Sequence, residues 1–330
     1  MKWQNNIPEA GVTDRIIGRY TGDKRGPLLI VMAGMHGNEP AGIEALESIF
    51  GLIHLEKELN AHFSFSGRIV GIRGNRQALL RSERYIERDL NRVWTPENIR
   101  RVTNLPEDEL QYEDRELREL LELVHYEIED YQPNWLVMLD LHTTAAQGGI
   151  FSIARDEARS VHIAVELHAP VITGMLKGLR GTTLHYFNEE NLSVPTTAVA
   201  FEGGQHQDPV AVNRIIAAIT NCLRTIGCVR AEDVENRHDV LLREYSEGLP
   251  RVASLLYRHE ISPEDKFRML PGYENFQPVK KGEHLAQDRN GPIYASYDAL
   301  IMMPLYQKQG DDGFFLIQPE GGLFGEGGRE

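Results

Sequence analysis

The 330-residue chain has only two cysteines, Cys222 and Cys228, and no long hydrophobic run. Two thiols cannot form a disulfide framework, and their six-residue spacing matches no common zinc pattern. No stretch approaches the roughly 18–20 apolar residues that a membrane-spanning helix needs. The N-terminal sequence MKWQNNIPEAG also lacks the apolar segment of a signal peptide. We therefore expect a cytoplasmic protein in a reducing environment.

The chain is also poor in positive charge, with 35 lysines and arginines against 49 acidic residues and a formal net charge of −14. Binding to phosphates requires a cationic surface, so this balance disfavours nucleic acid and anionic membranes as partners. An anionic small-molecule substrate remains compatible, because a few local arginines can override a distant net charge. The sequence leaves the oligomeric state open, a homo-oligomer included.

Short apolar runs alternate with segments of helical periodicity through the first 235 residues. Continuous apolar runs of this length are typical of strands buried on both faces. Such alternation predicts an α/β sandwich, with helices around a mixed central sheet. The predicted strands are 28–33, 67–72, 135–141, 170–173 and 197–201, and the predicted helices are 39–59, 113–131, 161–168 and 209–227.

The sequence changes character near residue 235. Beyond it, short runs with β propensity such as VASLLYR and FFLIQP are separated by turns rich in Gly, Pro, Asn and Asp. We therefore predict a catalytic α/β domain over residues 1–235. Residues 236–330 are predicted to form a small all-β domain that caps the active-site cleft.

The first candidate site is the heptapeptide AGMHGNE at residues 33–39, which follows the apolar run LLIVM. His36 and Glu39 offer an imidazole nitrogen and a carboxylate oxygen, both of which bind Zn²⁺. Their spacing of three places them on one side of a helical turn. Ligands of open α/β sheets bind after the carboxyl ends of strands. Alone, the pair is weak evidence for a metal, because the pattern H-x-x-E arises by chance in many proteins and also occurs in an ordinary strand-to-helix turn.

The second candidate is LDLHTT at residues 139–144, where His142 comes at the end of a predicted buried strand. Asp140 and His142 point to the same side of an extended strand. Asp140 is therefore placed to orient the imidazole of a metal ligand. The alternative is a polar pair that ends the strand.

The third candidate is AFEGGQH at residues 200–206, where Glu202 follows an apolar strand and precedes two glycines. A carboxylate in a semi-buried pocket suits a general base acting on water. The alternative is an acidic turn at a strand end. His206 is interpreted as a surface residue, or as one that supports the site from outside, rather than as a ligand.

The fourth candidate is ERYIERDLNRVW at residues 83–94, where Arg84, Asn91 and Arg92 flank Asp89. Guanidinium groups bind carboxylates through two parallel hydrogen bonds, so this cluster suits an anionic substrate group. The alternative, a solvated charged loop, is disfavoured by the aromatic residues within the segment. Three protein ligands with one open position describe a catalytic rather than a structural zinc site.

In their order along the chain, these motifs resemble the succinylglutamate desuccinylase/aspartoacylase family, which is related to the zinc carboxypeptidases. The resemblance rests on HGNE, NRQAL, RYIERDLNR, DLHTT and EGG within residues 34–204. It implies a zinc-carboxypeptidase-like α/β/α fold with one zinc ion per chain. By this resemblance His36, Glu39 and His142 match the zinc ligands. Glu202 matches the catalytic carboxylate, and Arg84 matches the arginine that polarises the scissile carbonyl.

The resemblance also matches Asn91 and Arg92 to the pair that holds the substrate's carboxylate.

One feature departs from the family pattern. Aspartoacylase-like members carry a further arginine about ten residues before the catalytic glutamate, which helps to bind the acyl portion. Here Leu192 stands near that place, and Arg180 in the segment GLRGTT is the nearest basic substitute other than a histidine. The acyl-group preference therefore stays open.

The implied activity is zinc-dependent hydrolysis of a small N-acyl amino acid, releasing an amino acid and a carboxylic acid. Two alternatives use the same residues. A metallocarboxypeptidase would act on peptides, for which an open groove rather than a covered cleft is needed. A non-catalytic relative would bind zinc or a ligand without hydrolysis. The presence of Glu202 and Arg84 argues against this alternative, because binding alone requires neither residue.

Overall fold

The computed structural model describes residues 14–234 and 237–320. The strands are β1 Ile16–Thr21, β2 Lys24–Ala33, β3 Ser66–Arg73, β4 Leu136–Thr144, β5 Phe151–Ala154, β6 Val171–Thr173, β7 Thr196–Gln205, β8 Val252–Glu260, β9 Arg268–Met269, β10 Gln277–Val279, β11 His284–Asp288, β12 Gly291–Tyr294, β13 Ala299–Met302 and β14 Asp312–Pro319. The N-terminal residues interpreted as lacking a signal segment, and the predicted domain boundary near residue 235, lie outside the described residues.

The helices vary widely in length. The α-helices are α1 Ala41–Leu59, α2 Arg76–Arg81, α3 Pro96–Asn104, α4 Tyr112–Tyr131, α5 Ala158–Glu166, α6 Met175–Gly178, α7 Thr183–Tyr186, α8 Glu189–Leu192, α9 Ala211–Thr225 and α10 Arg237–Tyr245. Short 3₁₀ helices occupy Leu90–Arg92, Glu107–Glu109, Ala231–Asp233 and Pro263–Asp265. Across the two described ranges, none of the helices is both long and apolar enough to cross a membrane.

The chain divides into two compact units, neither of which is continuous in sequence. The first unit comprises the described residues of 1–142, 181–198 and 223–235, and the second comprises those of 143–180, 199–222 and 236–330. The predicted division at residue 235, with a domain that caps the cleft, stays a prediction.

In the first unit the strands lie in the order β1-β3-β2-β4. Strand β2 runs parallel to both β3 and β4, whereas β1 pairs with β3 in the antiparallel sense. The side chains of residues 28–33 in β2 are fully buried, as the continuous apolar run predicted. Helix α4 packs its apolar face through Leu117, Leu120 and Val124, all almost completely buried.

The second unit contains strands in the order β7-β5-β6-β8-β14-β13-β10. Strands β5, β6 and β8 are parallel to one another, and the other pairs are antiparallel. A separate antiparallel sheet follows the order β12-β11-β9. The β-rich region packs around an apolar cluster, formed by Met269, Val279, Leu285, Ala286, Ala295, Ala299, Ile301, Phe314 and Leu316.

The large mixed sheet with its helices confirms the predicted α/β class, and the small sheet near the C-terminus confirms the predicted β-rich region. Some element boundaries differ. Helix α1 begins at Ala41 rather than at residue 39, because Pro40 takes the position just before the first helical residue. Helix α10 precedes the C-terminal strands, in a segment predicted to be all β. Strand β7 continues to Gln205 and so includes Glu202.

Candidate metal centre

The carboxyl ends of three strands in the first unit meet at one edge of the sheet. Ala33, the last residue of β2, is in register with Arg73 on β3 and with Leu141 on β4. The residues that follow these positions therefore emerge side by side. They include the AGMHGNE loop and His142, the two segments that the sequence singled out as ligand sources.

The sequence interpretation placed His36 and Glu39 on one helical turn. The structure brings them together by a turn that precedes helix α1. The amide of Glu39 donates to the carbonyl of His36 at 3.2 Å. Gly37 lies inside this turn against helix α2, and a Cβ at its position would stand 2.0 Å from the carbonyl carbon of Ala78. The glycine is therefore required by the close approach of two backbones.

Replacing Gly37 by alanine is expected to destabilise the fold by roughly 1–3 kcal/mol, the range typical of forced overpacking. The new methyl group meets backbone atoms of α2, which cannot rotate away. Gly51→Ala is the matched control, because no atom lies within 4 Å of its would-be Cβ in helix α1. That variant should be neutral or up to ~1 kcal/mol more stable. Denaturant unfolding of both variants measures the difference; equal stabilities would refute the steric argument.

His36, Glu39 and His142 form one buried cluster whose candidate ligand atoms all lie within 4.8 Å of one another. The Glu39 carboxylate lies between the two imidazole rings. Its Oε1 is 2.8 Å from Nδ1 of His36, and its Oε2 is 3.1 Å from Nδ1 of His142. Each of the three residues is at most 5% exposed. The structure therefore assembles the predicted three-residue set.

The outer nitrogen of each ring contacts an aspartate. Nε2 of His36 is 3.1 Å from Oδ1 of Asp89, and Nε2 of His142 is 3.1 Å from Oδ2 of Asp140. A carboxylate that accepts a hydrogen bond from one ring nitrogen keeps the proton there and leaves the other nitrogen available to a metal. Both Nδ1 atoms face Glu39. The predicted pairing of Asp140 with His142 is thus present.

This packing shifts the pKa values of Glu39, Asp89 and His142. Burial opposes ionisation of Glu39, yet the charge of His36 and hydrogen bonds from both imidazoles hold the pKa of Glu39 well below its ordinary value. Burial likewise opposes ionisation of Asp89, but Arg84 and His36 hold its pKa well below the usual range. Burial disfavours protonation of His142, whereas Asp140 and Glu39 raise its pKa well above the ordinary value. The cluster therefore favours cationic partners for its carboxylates.

The donor set fits Zn²⁺. Two imidazole nitrogens and one carboxylate oxygen are the ligands of many catalytic zinc sites, which keep a further position open. Three carboxylates, on Glu39, Asp89 and Asp140, lie around the two imidazole rings. The guanidinium of Arg84 binds Asp89, and the charge of Arg92 also acts on Asp89. Buried charges persist only when they are paired. A bound cation would pair with Glu39, whose two carboxylate oxygens face the two imidazole rings.

The loop at residues 83–94 lies against this cluster. Arg84 donates to Oδ2 of Asp89 at 2.9 Å, and its guanidinium is 3.7 Å from Oε1 of Glu39. Arg92 donates to the backbone carbonyl of Asn91 at 2.8 Å. The Asn91 amide nitrogen is 3.4 Å from Nε2 of His142. The three residues predicted to bind an anion are thus gathered beside the candidate metal ligands.

Thr183 connects two parts of this cluster and was not anticipated. Its hydroxyl donates to Oδ2 of Asp140 at 2.5 Å, and its backbone amide donates to Oδ1 of Asn91 at 2.9 Å. Gly181 has φ +63°, and a Cβ there would lie 2.2 Å from the carbonyl oxygen of Arg92. In the segment GLRGTT, Gly181 and Thr183 support the cluster, whereas Arg180 is exposed.

Glu202 belongs to the second unit. It lies within β7 opposite Phe151 of β5 and is 7% exposed. His206, which follows the end of β7, is 2.7 Å from the hydroxyl of Thr143 through its Nδ1. Leu192, which stands near the place of the family's acyl-binding arginine, is buried in the first unit with 4% exposure.

Sequence reasoning treated Asp89 only as an acid among the basic residues of its loop. The structure shows that it also holds His36, which lies 53 positions earlier in the chain. Its side chain also accepts from the amide of Asn91 at 2.8 Å. The available signal in the sequence was an acid placed between arginines in the segment RDLNR. Nothing in the spacing connected that acid to His36.

A family model confirms the resemblance noted in the sequence. The model of the succinylglutamate desuccinylase/aspartoacylase catalytic domain matches residues 25–226, which is more than half of the chain. The matched segment contains all the candidate metal, catalytic and substrate-binding residues.

Individual relatives agree with this match. Succinylglutamate desuccinylase of Yersinia pestis (strain Pestoides F) is 26% identical over 280 residues, covering 79% of this chain and 74% of that protein. The enzyme of Pseudomonas paraeruginosa is 36% identical over 66 residues, which span 20% of this chain and only 18% of that protein. The crystal structure of the Vibrio cholerae succinylglutamate desuccinylase has a TM-score of 0.58 at 19% identity, covering 89% of this chain and 82% of that one. This structural likeness concerns the fold.

Proposed function

Because the chain belongs to the succinylglutamate desuccinylase/aspartoacylase family, we propose that it is a zinc-dependent amidohydrolase. Its substrate would be a small N-acyl amino acid, and its products an amino acid and a carboxylic acid. The observation that carries this proposal is the buried cluster of His36, Glu39 and His142, with an aspartate on the outer nitrogen of each imidazole. The cytoplasm is its proposed location.

In this proposal His36 and His142 would hold zinc through Nδ1, and Glu39 would hold it through its carboxylate. Bound zinc supplies Lewis acidity toward the scissile carbonyl and the attacking water. With zinc bound, Asp89 and Asp140 would accept hydrogen bonds from the Nε2 atoms, which leaves the lone pairs of the Nδ1 atoms free to bind the metal. The buried, nitrogen- and oxygen-based donor set supports this assignment.

The remaining roles are carried over from the family resemblance. Glu202 would accept the proton of the attacking water and then deliver it to the leaving amine, as a general base and general acid. Arg84 would donate hydrogen bonds to the carbonyl oxygen, where negative charge develops. Its guanidinium already lies 3.7 Å from Glu39, which supports a position close to the reacting carbonyl.

Asn91 and Arg92 would hold the substrate's carboxylate and thereby position the scissile bond. A guanidinium can bind a carboxylate with two parallel hydrogen bonds. The position of these residues beside the cluster supports this role, since Asn91 lies 3.4 Å from His142.

The proposal is tested with purified protein and a panel of N-succinyl and N-acetyl amino acids, following release of the free amine. Chromatography of the products identifies both the acyl group and the amino acid. Release from one subset of the panel supports the proposal. Cleavage of peptides but not of acyl amino acids would favour a carboxypeptidase. Zinc binding without hydrolysis of any substrate would favour a non-catalytic relative.

Arg92→Ala is expected to raise KM by roughly 10–100-fold with a smaller change in kcat, the cost of one charge-assisted contact. The effect should disappear for a substrate whose free carboxylate is converted to an amide. Arg100→Ala is the matched control, because that arginine of helix α3 is 70% exposed. Steady-state kinetics on both substrates measures the difference. An unchanged KM for the carboxylate substrate would refute the anchoring role.

A further inference from the structure

Glu113 is a buried carboxylate whose interactions have no role in the chemistry described above. It lies at the start of helix α4 and is 1% exposed. Its oxygens accept hydrogen bonds from the backbone of the loop that carries the candidate substrate-binding residues. This is an unusual partner for a helix side chain, because buried acids are more often paired with arginine or lysine.

Three consecutive amides of the loop point at this carboxylate. Ile86 donates to Oε1 at 2.7 Å, and Glu87 and Arg88 donate to Oε2 at 3.1 and 3.3 Å. Successive backbone N–H groups form a concave site for anions. Hydrogen bonds to a charged acceptor are stronger than neutral ones. The backbone of residues 86–88 is thus wrapped around one side-chain group.

The same carboxylate also connects to the segment NRQAL, a motif that acquired no role from the sequence. The side-chain nitrogen of Asn75 donates to Oε1 of Glu113 at 3.0 Å. The Asn75 oxygen accepts from the amide of Ala78 at 3.1 Å, which caps helix α2. Its backbone amide donates to the carbonyl of Gly34 at 2.8 Å. Asn75 therefore connects Glu113 to the loop that contains His36.

Functional residues lie on both sides of the wrapped backbone. Arg84 is two residues before Ile86, and Asp89 is the residue directly after Arg88. The carbonyl of Arg84 also accepts from the amide of Gly37 at 3.2 Å. A displacement of residues 86–88 would therefore move both Arg84 and the aspartate that holds His36.

Asp114, the residue of α4 that follows Glu113, also binds the loop at residues 84–92. Asp114 forms ion pairs with the side chains of Arg88 and Arg101, the latter at 2.7 Å. Burial opposes ionisation of Asp114, but Arg101 and Arg88 lower its pKa. The first turn of α4 thus holds the loop through its backbone at Glu113 and through a side chain at Asp114.

We infer that Glu113, together with Asn75, is the positioning element of the loop at residues 84–92. It fixes Arg84, Asp89, Asn91 and Arg92 in the arrangement used for substrate binding. The hydrogen bonds of Glu113 go to Asn75 and to the amides of residues 86–88, and not to the candidate metal ligands. The attachment of the loop stands on the contacts alone, and only its consequence for catalysis rests on the proposed function.

Glu113→Gln tests this inference with little change in side-chain volume. The amide NH₂ group would face backbone N–H donors, which leaves at least one buried donor unsatisfied. We expect kcat/KM for the carboxylate-bearing substrate to fall by roughly 100-fold, as misplacement of positioning residues typically causes. With saturating zinc, the metal content should remain at one ion per chain, since His36, Glu39 and His142 are unchanged. Glu113→Asp keeps a carboxylate on a shorter side chain, so its kcat/KM should lie between those of the wild type and Glu113→Gln.

Hydrogen exchange followed by mass spectrometry gives a readout that does not depend on activity. Amide exchange in a peptide covering residues 84–92 should be faster in Glu113→Gln, because one of the two protecting acceptor oxygens is lost. Glu127→Gln is the matched control. Glu127 is a fully buried glutamate of the same helix, bound by Arg19 and Arg68 and by no backbone amide of the loop. It should leave exchange at 84–92 unchanged.

The outcomes separate this inference from the proposed function. Faster loop exchange in Glu113→Gln, combined with a wild-type protein that hydrolyses none of the panel, would support the positioning role and overturn the function. An active wild type with unchanged exchange and unchanged kcat/KM in Glu113→Gln would overturn the positioning role. Equal effects in Glu127→Gln would also overturn it, because they would show general destabilisation. If Glu113→Gln does not fold, the same comparison is made with Glu113→Asp.

Discussion

Glu202→Gln is expected to bind zinc normally and to lose roughly 10²–10⁴-fold in kcat, the typical contribution of general acid–base catalysis. Glutamine has nearly the same volume as glutamate, but it can neither accept a proton from water nor return one to the leaving amine. KM should change less than kcat, because the proposed anchors of the substrate are Asn91 and Arg92. Metal analysis and steady-state kinetics on the same preparation measure the two quantities.

A control distinguishes this effect from a general loss of negative charge. Glu190 is an exposed glutamate of helix α8, and Glu190→Gln should retain wild-type turnover. The pH profile adds a second criterion, since the limb of kcat that reports the base should be absent in Glu202→Gln. Turnover within a few-fold of wild type in Glu202→Gln would rule out its assignment as the catalytic carboxylate.

His142→Ala is expected to abolish stoichiometric zinc binding and with it the hydrolysis. The substitution removes one of three proposed ligands and leaves Asp140 buried beside an empty volume. Loss of a partner outside the ligand set typically costs 10–100-fold in affinity or activity, so loss of a ligand should cost more than ~100-fold. Zinc titration with a competing fluorescent chelator gives the affinity directly.

Two further variants are expected to differ from His142→Ala in zinc affinity, one with a smaller loss and one with no loss. Asp140→Asn keeps the ligand but weakens the acceptor for its outer nitrogen, so zinc affinity should fall by about 10–100-fold. His206→Ala removes an imidazole that contacts Thr143 and Gln307, and it should bind zinc as the wild type does. If all three variants bound zinc equally well, His142 would not be a ligand.

Much of this arrangement was accessible from the sequence because it depends on local rules. A buried apolar run marks a strand, and polar residues placed after two such runs predicted that His36 and His142 lie near each other. Ala33 is indeed in register with Leu141, one residue before His142. The alternation of strand side chains placed Asp140 on the side of His142, as observed. Both inferences need only the periodicity of a strand.

Contacts between distant segments were not accessible in the same way. Asp89 reaches His36 across 53 positions, and Thr183 reaches Asp140 across 43. Glu113 was predicted only to belong to a helix over residues 113–131, because the periodicity of a helix does not reveal which loop its polar side meets. The turn at His36–Glu39 was mistaken for helix since Pro40 suits the first helical turn as well as the position before it.

The central claim is that amide hydrolysis by this chain requires a metal at His36, Glu39 and His142. The most direct test is the rate of amine release from the best N-acyl amino acid of the panel, measured before chelation, after removal of metal and after return of one equivalent of Zn²⁺. We predict loss of activity in the metal-depleted protein and recovery at one equivalent, with no recovery in His142→Ala. An unchanged rate in protein that retains less than about a tenth of an equivalent of metal would contradict the account.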